Sequence, residues 1–182
     1  MGWVYAALSL QVIISAGTYL AGKRAMSELP GYRLHLLSRV PAADRARLEA
    51  LAPAGSVEFH DGVTDAEYAQ LLERAHALVH ASLDEGFGIP LVEAMSVGTP
   101  IVVSDIPIFR EIGGSAGIYA DAHDPVAFAA AIQLLDAPAE WTRRSAAARE
   151  QATLFDWDAS ADVLYEVLRR VASKARPEDA EH

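Results

Sequence analysis

The sequence predicts an α/β fold, a single domain in which a parallel sheet lies between helices. Short apolar runs bounded by turn residues alternate with segments of helical period, the pattern of repeated βαβ units. The clearest unit runs from Ala77 to Val103: a buried-strand run, a loop carrying Gly86 and Gly88, a helix, and the strand Ile101-Val102-Val103. At 182 residues the chain holds one full domain with a sizeable core and not two of ordinary size.

Met1 to Gly22 is apolar and uncharged, and Lys23 and Arg24 follow at once. Its length approaches the ~20 residues that span a bilayer, so a membrane anchor with the basic pair on the cytoplasmic side is one reading. The other is an apolar lead-in over residues 1–10 followed by the first buried strand, Gln11 to Ser15, and the polar Ser9, Gln11, Ser15 and Thr18 favour it. No basic segment precedes the apolar run, which argues against a cleaved signal peptide. Arg24 to Gly31 leaves room for at most two helical turns before the next strand, Arg33 to Leu37.

Ser38 to Pro41 is a loop. Ala42 to Leu51 reads as a helix with Leu48 and Leu51 inward and Arg45, Arg47 and Glu49 outward. Val57 to Phe59 is a short strand. Thr64 or Asp65 caps the helix Asp65 to His76, whose Tyr68, Leu71, Leu72 and Ala75 face the core. Beyond the central unit come a Pro107-containing turn and short helix to Glu111, a glycine-rich turn from Gly113 to Gly117, and the strand Ile118 to Ala120. Ser104 and Asp105 end a strand on the side where such folds present ligand groups; a role near a ligand and a helix cap are both open to them. Asp124-Pro125 opens a helix from Val126 to Leu135, and further helices span Trp141 to Thr153 and Asp158 to Ala172. The domain is expected over residues 11–172, with 173–182 a charged, disordered tail.

The formal charge of −10 and a pI near 4.9 argue against nucleic acid and anionic membrane as partners, which require clustered Lys and Arg. Cysteine is absent, so disulfides and thiol chemistry are excluded and a reducing, cytoplasmic setting fits, with membrane association the alternative if residues 1–22 anchor the chain. The His76/His80 pair lacks the glutamate at position 77 that a zincin helix needs, and no metal is assigned.

The candidate site is the loop and helix start from Glu85 to Glu93, EGFGIPLVE. Gly86 and Gly88 let the backbone approach a ligand, and the N–H groups near Ile89 to Val92, with the helix dipole behind them, favour an anion such as phosphate. Pro90 suits a first helical turn, where its missing N–H had no partner. Glu85 and Glu93 flank this anion site, and carboxylates accept hydrogen bonds from hydroxyls rather than from phosphate. A ligand with a central diphosphate and hydroxyl-rich rings at both ends, a nucleotide-sugar, satisfies every part of the loop. Taken singly, Glu93 reads as an acid on the helix dipole and Glu85 as a solvated loop acid. A dinucleotide site is a weaker rival: Gly86-Phe87-Gly88 opens a βα turn and Asp105 follows on the next strand, but Leu91 occupies the place of the third glycine. A glycosidase built on the two acids is disfavoured, because glycines and a helix start lie between them.

EGFGIPLVEA, followed by Gly98-Thr99-Pro100-Ile101-Val102-Val103-Ser104-Asp105, closely resembles the donor-binding signature of retaining family 4 glycosyltransferases of the GT-B fold. The resemblance implies a single Rossmann-like domain, one half of a GT-B fold, that binds a nucleotide-diphosphate sugar. It implies that Glu85, at the catalytic centre, meets hydroxyls of the donor sugar, that Glu93 meets the ribose hydroxyls, and that the backbone of Gly86, Phe87, Gly88, Ile89, Pro90, Leu91 and Val92 cradles sugar and diphosphate. Lys23 stands where the family carries a phosphate-binding lysine, with Thr18 in place of the usual arginine; a solvated surface lysine is the alternative. His60 to Val63 is similar to the family segment lining the nucleobase pocket. The segment from Phe155 and the last helix are similar to the family's C-terminal brace, whose Leu164, Val167, Leu168 and Val171 need cover. The resemblance implies sugar transfer to an acceptor hydroxyl with retention, no metal or other cofactor, and an acceptor site in an N-terminal GT-B domain, supplied by a partner chain or a longer protein. Non-catalytic donor binding and a degenerate fragment are the alternatives.

Overall fold

The computed structural model describes residues 10–14, 31–37 and 39–174. The described residues up to Ala152 form one compact unit and those from Thr153 a second. Lys23, the turn from Gly17 and the tail from residue 175 lie outside the described residues.

The first unit is built on six parallel strands: β1 (Leu10–Ile14), β2 (Tyr32–Leu36), β3 (Val57–Phe59), β4 (Ala77–His80), β5 (Ile101–Ser104) and β6 (Ile118–Ala120). Their order across the sheet is β3-β2-β1-β4-β5-β6, every neighbour pair parallel. β1 is therefore an interior strand, paired with β2 on one side and β4 on the other, and Gln11 to Ile14 belongs to the sheet rather than to a membrane span. Among the described residues no helix is long and apolar enough to cross a membrane.

Helices α1 (Ala42–Leu51), α2 (Asp65–Arg74), α3 (Ile89–Ser96), α4 (Pro107–Gly113), α5 (Pro125–Gln133) and α6 (Pro138–Ala152) connect and cover the strands. Strand side chains alternate between faces. Tyr32, Leu34, Leu36, Ala77, Val79 and Val102 point into one apolar cluster with Leu48 of α1 and Phe128 and Ile132 of α5. Leu78, Ile101 and Val103 point the other way, where the buried Leu72, Leu91, Met95, Phe109 and Ile112 come from α2, α3 and α4. β4 and β5 read as largely continuous apolar runs because both their faces are covered.

Local signals place the ends. Thr64 caps α2: its Oγ1 accepts from the Glu67 N–H while the Glu67 carboxylate accepts from the Thr64 N–H, a reciprocal capping box. The Asp124 carboxylate accepts from the N–H groups of Val126 and Ala127 ahead of α5, which ends at Gln133 in a 3-10 turn, Leu134–Asp136. α6 begins earlier than expected, at Pro138, because a proline is accommodated in a first turn. The Trp141 indole N–H then reaches the His76 carbonyl at 2.9 Å.

Two expectations for α1 fail. Leu51 is 47% exposed, because α1 ends there and only Leu48 reaches the sheet. Arg45 is not a free outer residue: its guanidinium lies 4.7 Å from the Phe59 ring centroid, and its Nε–H donates to the Val40 carbonyl at 3.0 Å.

The second unit carries α7 (Trp157–Lys174), whose start is fixed by the Asp156 carboxylate accepting the Ala159 N–H at 2.8 Å. The helix begins one residue before and ends two residues beyond the predicted span, Asp158 to Ala172. Leu164, Val167, Leu168 and Val171 repeat at helical spacing and each is at least half exposed.

His76 is half-buried at the edge of the core, its ring 6.0 Å from that of Tyr32, and burial pushes its pKa below the usual imidazole value, only partly opposed by Asp136. A depressed histidine pKa means that the unfolded chain takes up the proton first as pH falls below about 6.5, so folding stability drops through that window by at most about 1.4 kcal/mol per pH unit for this group. Urea unfolding at pH 7.5 and 5.5 should show that loss, and His76→Gln should reduce the difference between the two midpoints. Thr64→Ala, which removes the cap of α2, should cost about 1 kcal/mol at either pH.

Candidate functional site

β1 leads outward to β2 and β3, and the chain then returns across the sheet to β4 on the opposite side of β1. Between β1 and β4 the strand order reverses, the position at which an open parallel sheet takes a ligand, outside the carboxyl ends of its strands. The loop after β4, Ala81 to Gly88, rises from that position.

Gly88 turns the loop into α3 with φ +93°, a left-handed conformation that an L side chain resists. A Cβ there would also lie 3.0 Å from Phe109 Cε1, a tight contact that the ring would have to relieve by a few tenths of an ångström. At Gly86, by contrast, a Cβ would meet nothing within 4 Å, and the residue is exposed; the protein itself does not require glycine there. The loop is pinned beneath by the Ser82 hydroxyl, which donates to the Asp84 carbonyl at 2.9 Å.

The donors at the helix start are fewer than the sequence suggested. Pro90 has no N–H, and the Leu91 N–H is spent on the Gly88 carbonyl at 2.9 Å. The turn's capacity for an anion therefore rests on its other backbone N–H groups, with the α3 dipole behind them. Phe87 and Ile89 are 41% and 45% exposed and flank this position, while Leu91 is buried in the core and Val92 half-buried.

Both acids are held by residues that sequence reasoning did not select. Glu85 Oε1 lies 3.0 Å from His80 Nε2, at the end of β4. The His80 side chain is 3% exposed and stands edge-on to the Phe109 ring, centroids 5.1 Å apart, while its Nδ1 has no hydrogen-bond partner. Nε2 is therefore the nitrogen through which His80 acts, and it fixes the half-buried Glu85 carboxylate over the loop. Glu93 is exposed on the first turns of α3, and its Oε2 accepts a 2.8 Å hydrogen bond from the Tyr68 hydroxyl of α2. Burial first, then this bond and the carboxylate charge, push the Tyr68 phenol well above its usual range, so it remains a donor at any physiological pH. Tyr68 was expected in the core; its ring is half-buried but its hydroxyl belongs to the site. The signal that both partners carried was a polar atom on an otherwise inward-facing position.

Asp105 is engaged elsewhere. Both its oxygens accept from Arg110, at 2.5 and 2.7 Å, and this pairing lowers its pKa. The acid that a dinucleotide site would have used is thus in an ion pair. Neither Ser104 nor Asp105 caps α4, whose N-cap is Ile106; Ser104 is fully buried with an unpartnered Oγ. Behind the loop after β3, a cavity of about 230 Å³ is lined by His60, Val63, Glu67, Gln70, Leu71 and Arg74. On the other side of that loop His60 faces His35 and Glu58, a grouping invisible in the linear sequence.

A doubly wound parallel sheet with an acid-flanked glycine turn at its switch point is the architecture of a Rossmann-like half of a GT-B glycosyltransferase. The structure superposes on sucrose-phosphate synthase from Thermosynechococcus elongatus with a TM-score of 0.76 and 26% identity, over 92% of this chain and 47% of that one. The family model described as "Glycosyl transferases group 1" matches residues 11–136, and the chain belongs to that family. Its relatives include the O-antigen chain mannosyltransferase RfbU of Salmonella typhimurium, 41% identical over 80 residues, covering 44% of this chain and 23% of that protein. The D-inositol 3-phosphate glycosyltransferase of Streptomyces griseus is 34% identical over 130 residues, 69% of this chain and 27% of that protein. The chain thus spans about a quarter of the length of these two relatives.

Gly88→Ala should destabilise the fold by about 1–3 kcal/mol through the left-handed backbone alone, whereas Gly86→Ala should leave stability unchanged. Thermal melts of the two variants beside the unmodified chain check this, and an equal loss in both would refute the distinction.

Proposed function

We propose that this chain is the donor-binding half of a retaining glycosyltransferase and takes a nucleotide-diphosphate sugar. The observation that carries the reading is the pair of carboxylates on either side of the anion-binding turn at the switch point, each held by a buried or half-buried partner. An acid fixed in place at the rim of a phosphate site serves hydroxyl recognition, because it accepts from hydroxyls and repels phosphate.

In this reading Glu85, held by His80, accepts from hydroxyls of the donor sugar and belongs to the catalytic centre. Glu93, held by Tyr68, accepts from the ribose hydroxyls. The backbone from Gly86 to Val92 cradles the sugar and diphosphate between them. As the bond from the anomeric carbon to the diphosphate breaks, negative charge grows on the leaving phosphate. The turn's backbone N–H groups, the α3 dipole and, in the proposal, Lys23 stabilise it with no reorganisation during reaction. The donor chemistry needs no metal. The name of one relative, a mannosyltransferase, supports a hexose as the transferred group. The acceptor and the residues that bind it belong to the complementary half of the GT-B cleft, in the same polypeptide or a partner chain, and the absence of cysteine supports action in the cytoplasm.

Calorimetric titration with UDP, GDP, ADP and NAD tests the proposal. One nucleoside diphosphate should bind, and Glu93→Ala should weaken it about tenfold or more, since a hydrogen bond to a charged group contributes about 1.5–3 kcal/mol. Tyr68→Phe should weaken it less, because the carboxylate remains and loses only its anchor. Binding of NAD in place of every nucleoside diphosphate would overturn the assignment.

A further inference from the structure

A second group of ligand-bearing side chains lies at the β3 edge of the sheet, separated from β4 by β2 and β1. The parallel register of β2 and β3 sets His35 opposite Glu58, and His60, two residues beyond Glu58, returns to the same face. Leu34 and Leu36, on either side of His35, point into the apolar cluster on the opposite face. Three ligand atoms converge: His35 Nδ1 lies 2.8 Å from His60 Nε2 and 3.4 Å from Glu58 Oε2, and His60 Nε2 lies 3.8 Å from the same Oε2.

Those separations decide what the cluster can hold. A zinc ion with ligands at about 2.0–2.2 Å in tetrahedral geometry sets them about 3.3–3.6 Å apart, and the three distances bracket that range. Imidazole, imidazole and carboxylate is also a ligand set that zinc accepts, with the fourth position left for water. One supporting contact suits a site of this kind. Arg33, two residues before His35 and on the same face, donates to Glu58 Oε1 at 2.5 Å, which leaves Oε2 turned towards the two rings. The His35 side chain is 4% exposed and its Nε2 has no partner, so Nδ1 is the nitrogen that meets other polar groups. The Glu58 and His60 side chains are 39% and 21% exposed and give an ion a way in.

We propose that His35, Glu58 and His60 bind a divalent transition-metal ion, zinc being the best match, which ties the short edge strand β3 to β2. This inference does not rest on the reaction proposed for the loop from Glu85 to Glu93, although His60 also opens the segment that the resemblance places at the nucleobase pocket. The rival arrangement is a hydrogen-bonded pair of neutral imidazoles, in which one of the two facing nitrogens carries a proton instead of both offering lone pairs.

The test uses the full chain, stripped with a chelator and dialysed against zinc, with cobalt as the spectroscopic probe. One zinc per chain should be retained, the melting temperature should rise with zinc concentration as binding to the folded state requires, and cobalt should give the strong visible bands of a four-coordinate ion. His60→Ala and Glu58→Gln change partly exposed residues and should each weaken zinc binding at least about tenfold, the scale on which even supporting residues of metal sites act. His123→Ala, on an exposed residue away from the cluster, should leave uptake unchanged. Absence of uptake by the unmodified chain, or uptake that either the His60 or the Glu58 variant leaves intact, would overturn the proposal and identify the rings as a hydrogen-bonded pair.

Discussion

The constraint on which the rest of this structure depends is the handedness of the crossover between parallel strands. A strand followed by a helix and a parallel neighbour turns right-handed almost without exception, so a sheet that grows outward from one strand in both directions must change the face its helices cover. Here the change falls between β1 and β4. A reversal of this kind is where open α/β sheets place their ligand crevice, outside the carboxyl ends of the two strands. Everything that marks the candidate site, the glycine turn, the start of α3 and the two acids, is attached to the strand beside that crevice.

Within the loop, geometry divides the work between backbone and side chains. Gly88 supplies a left-handed conformation that a side chain would strain and a close approach to Phe109, whereas Gly86 faces open space and is required by nothing in the protein. Two glycines in one motif thus have different physical reasons, one internal and one directed outward at whatever occupies the crevice. The acids show the same division. A lone surface carboxylate is mobile and well hydrated; one tied to His80 or Tyr68 has a fixed direction before any ligand arrives. Pre-fixing of this kind lowers the cost of ordering the site on binding.

The far edge of the sheet follows a different logic. β3 is a three-residue edge strand with a neighbour on one side only, and such strands need reinforcement that the ladder does not supply. Here it comes from side chains: the Arg33–Glu58 ion pair, the Arg45 guanidinium over Phe59, and the histidine and glutamate cluster on the opposite face from the leucines. Polar groups concentrate where apolar cover thins, and that concentration is what brings ligand atoms together.

Much of this was legible in the sequence because it is local. The βαβ unit, the short strands at Val57–Phe59 and Ile118–Ala120, a cap at Thr64 or Asp65 and the family signature from Glu85 to Asp105 depend on residues within a turn or two of each other. Hydrophobic period and capping chemistry encode such features directly. Tertiary structure alone decided the strand order, since nothing in a strand's own residues names its neighbour. It decided that Leu51 is exposed and that Arg45 packs on Phe59. It gave Glu93 its tyrosine across 25 residues and His35 its partners across a strand pair. Each of these is a pairing between segments remote in the chain, fixed by register and crossover, and a linear pattern carries the periodicity of each segment but not the registration between them.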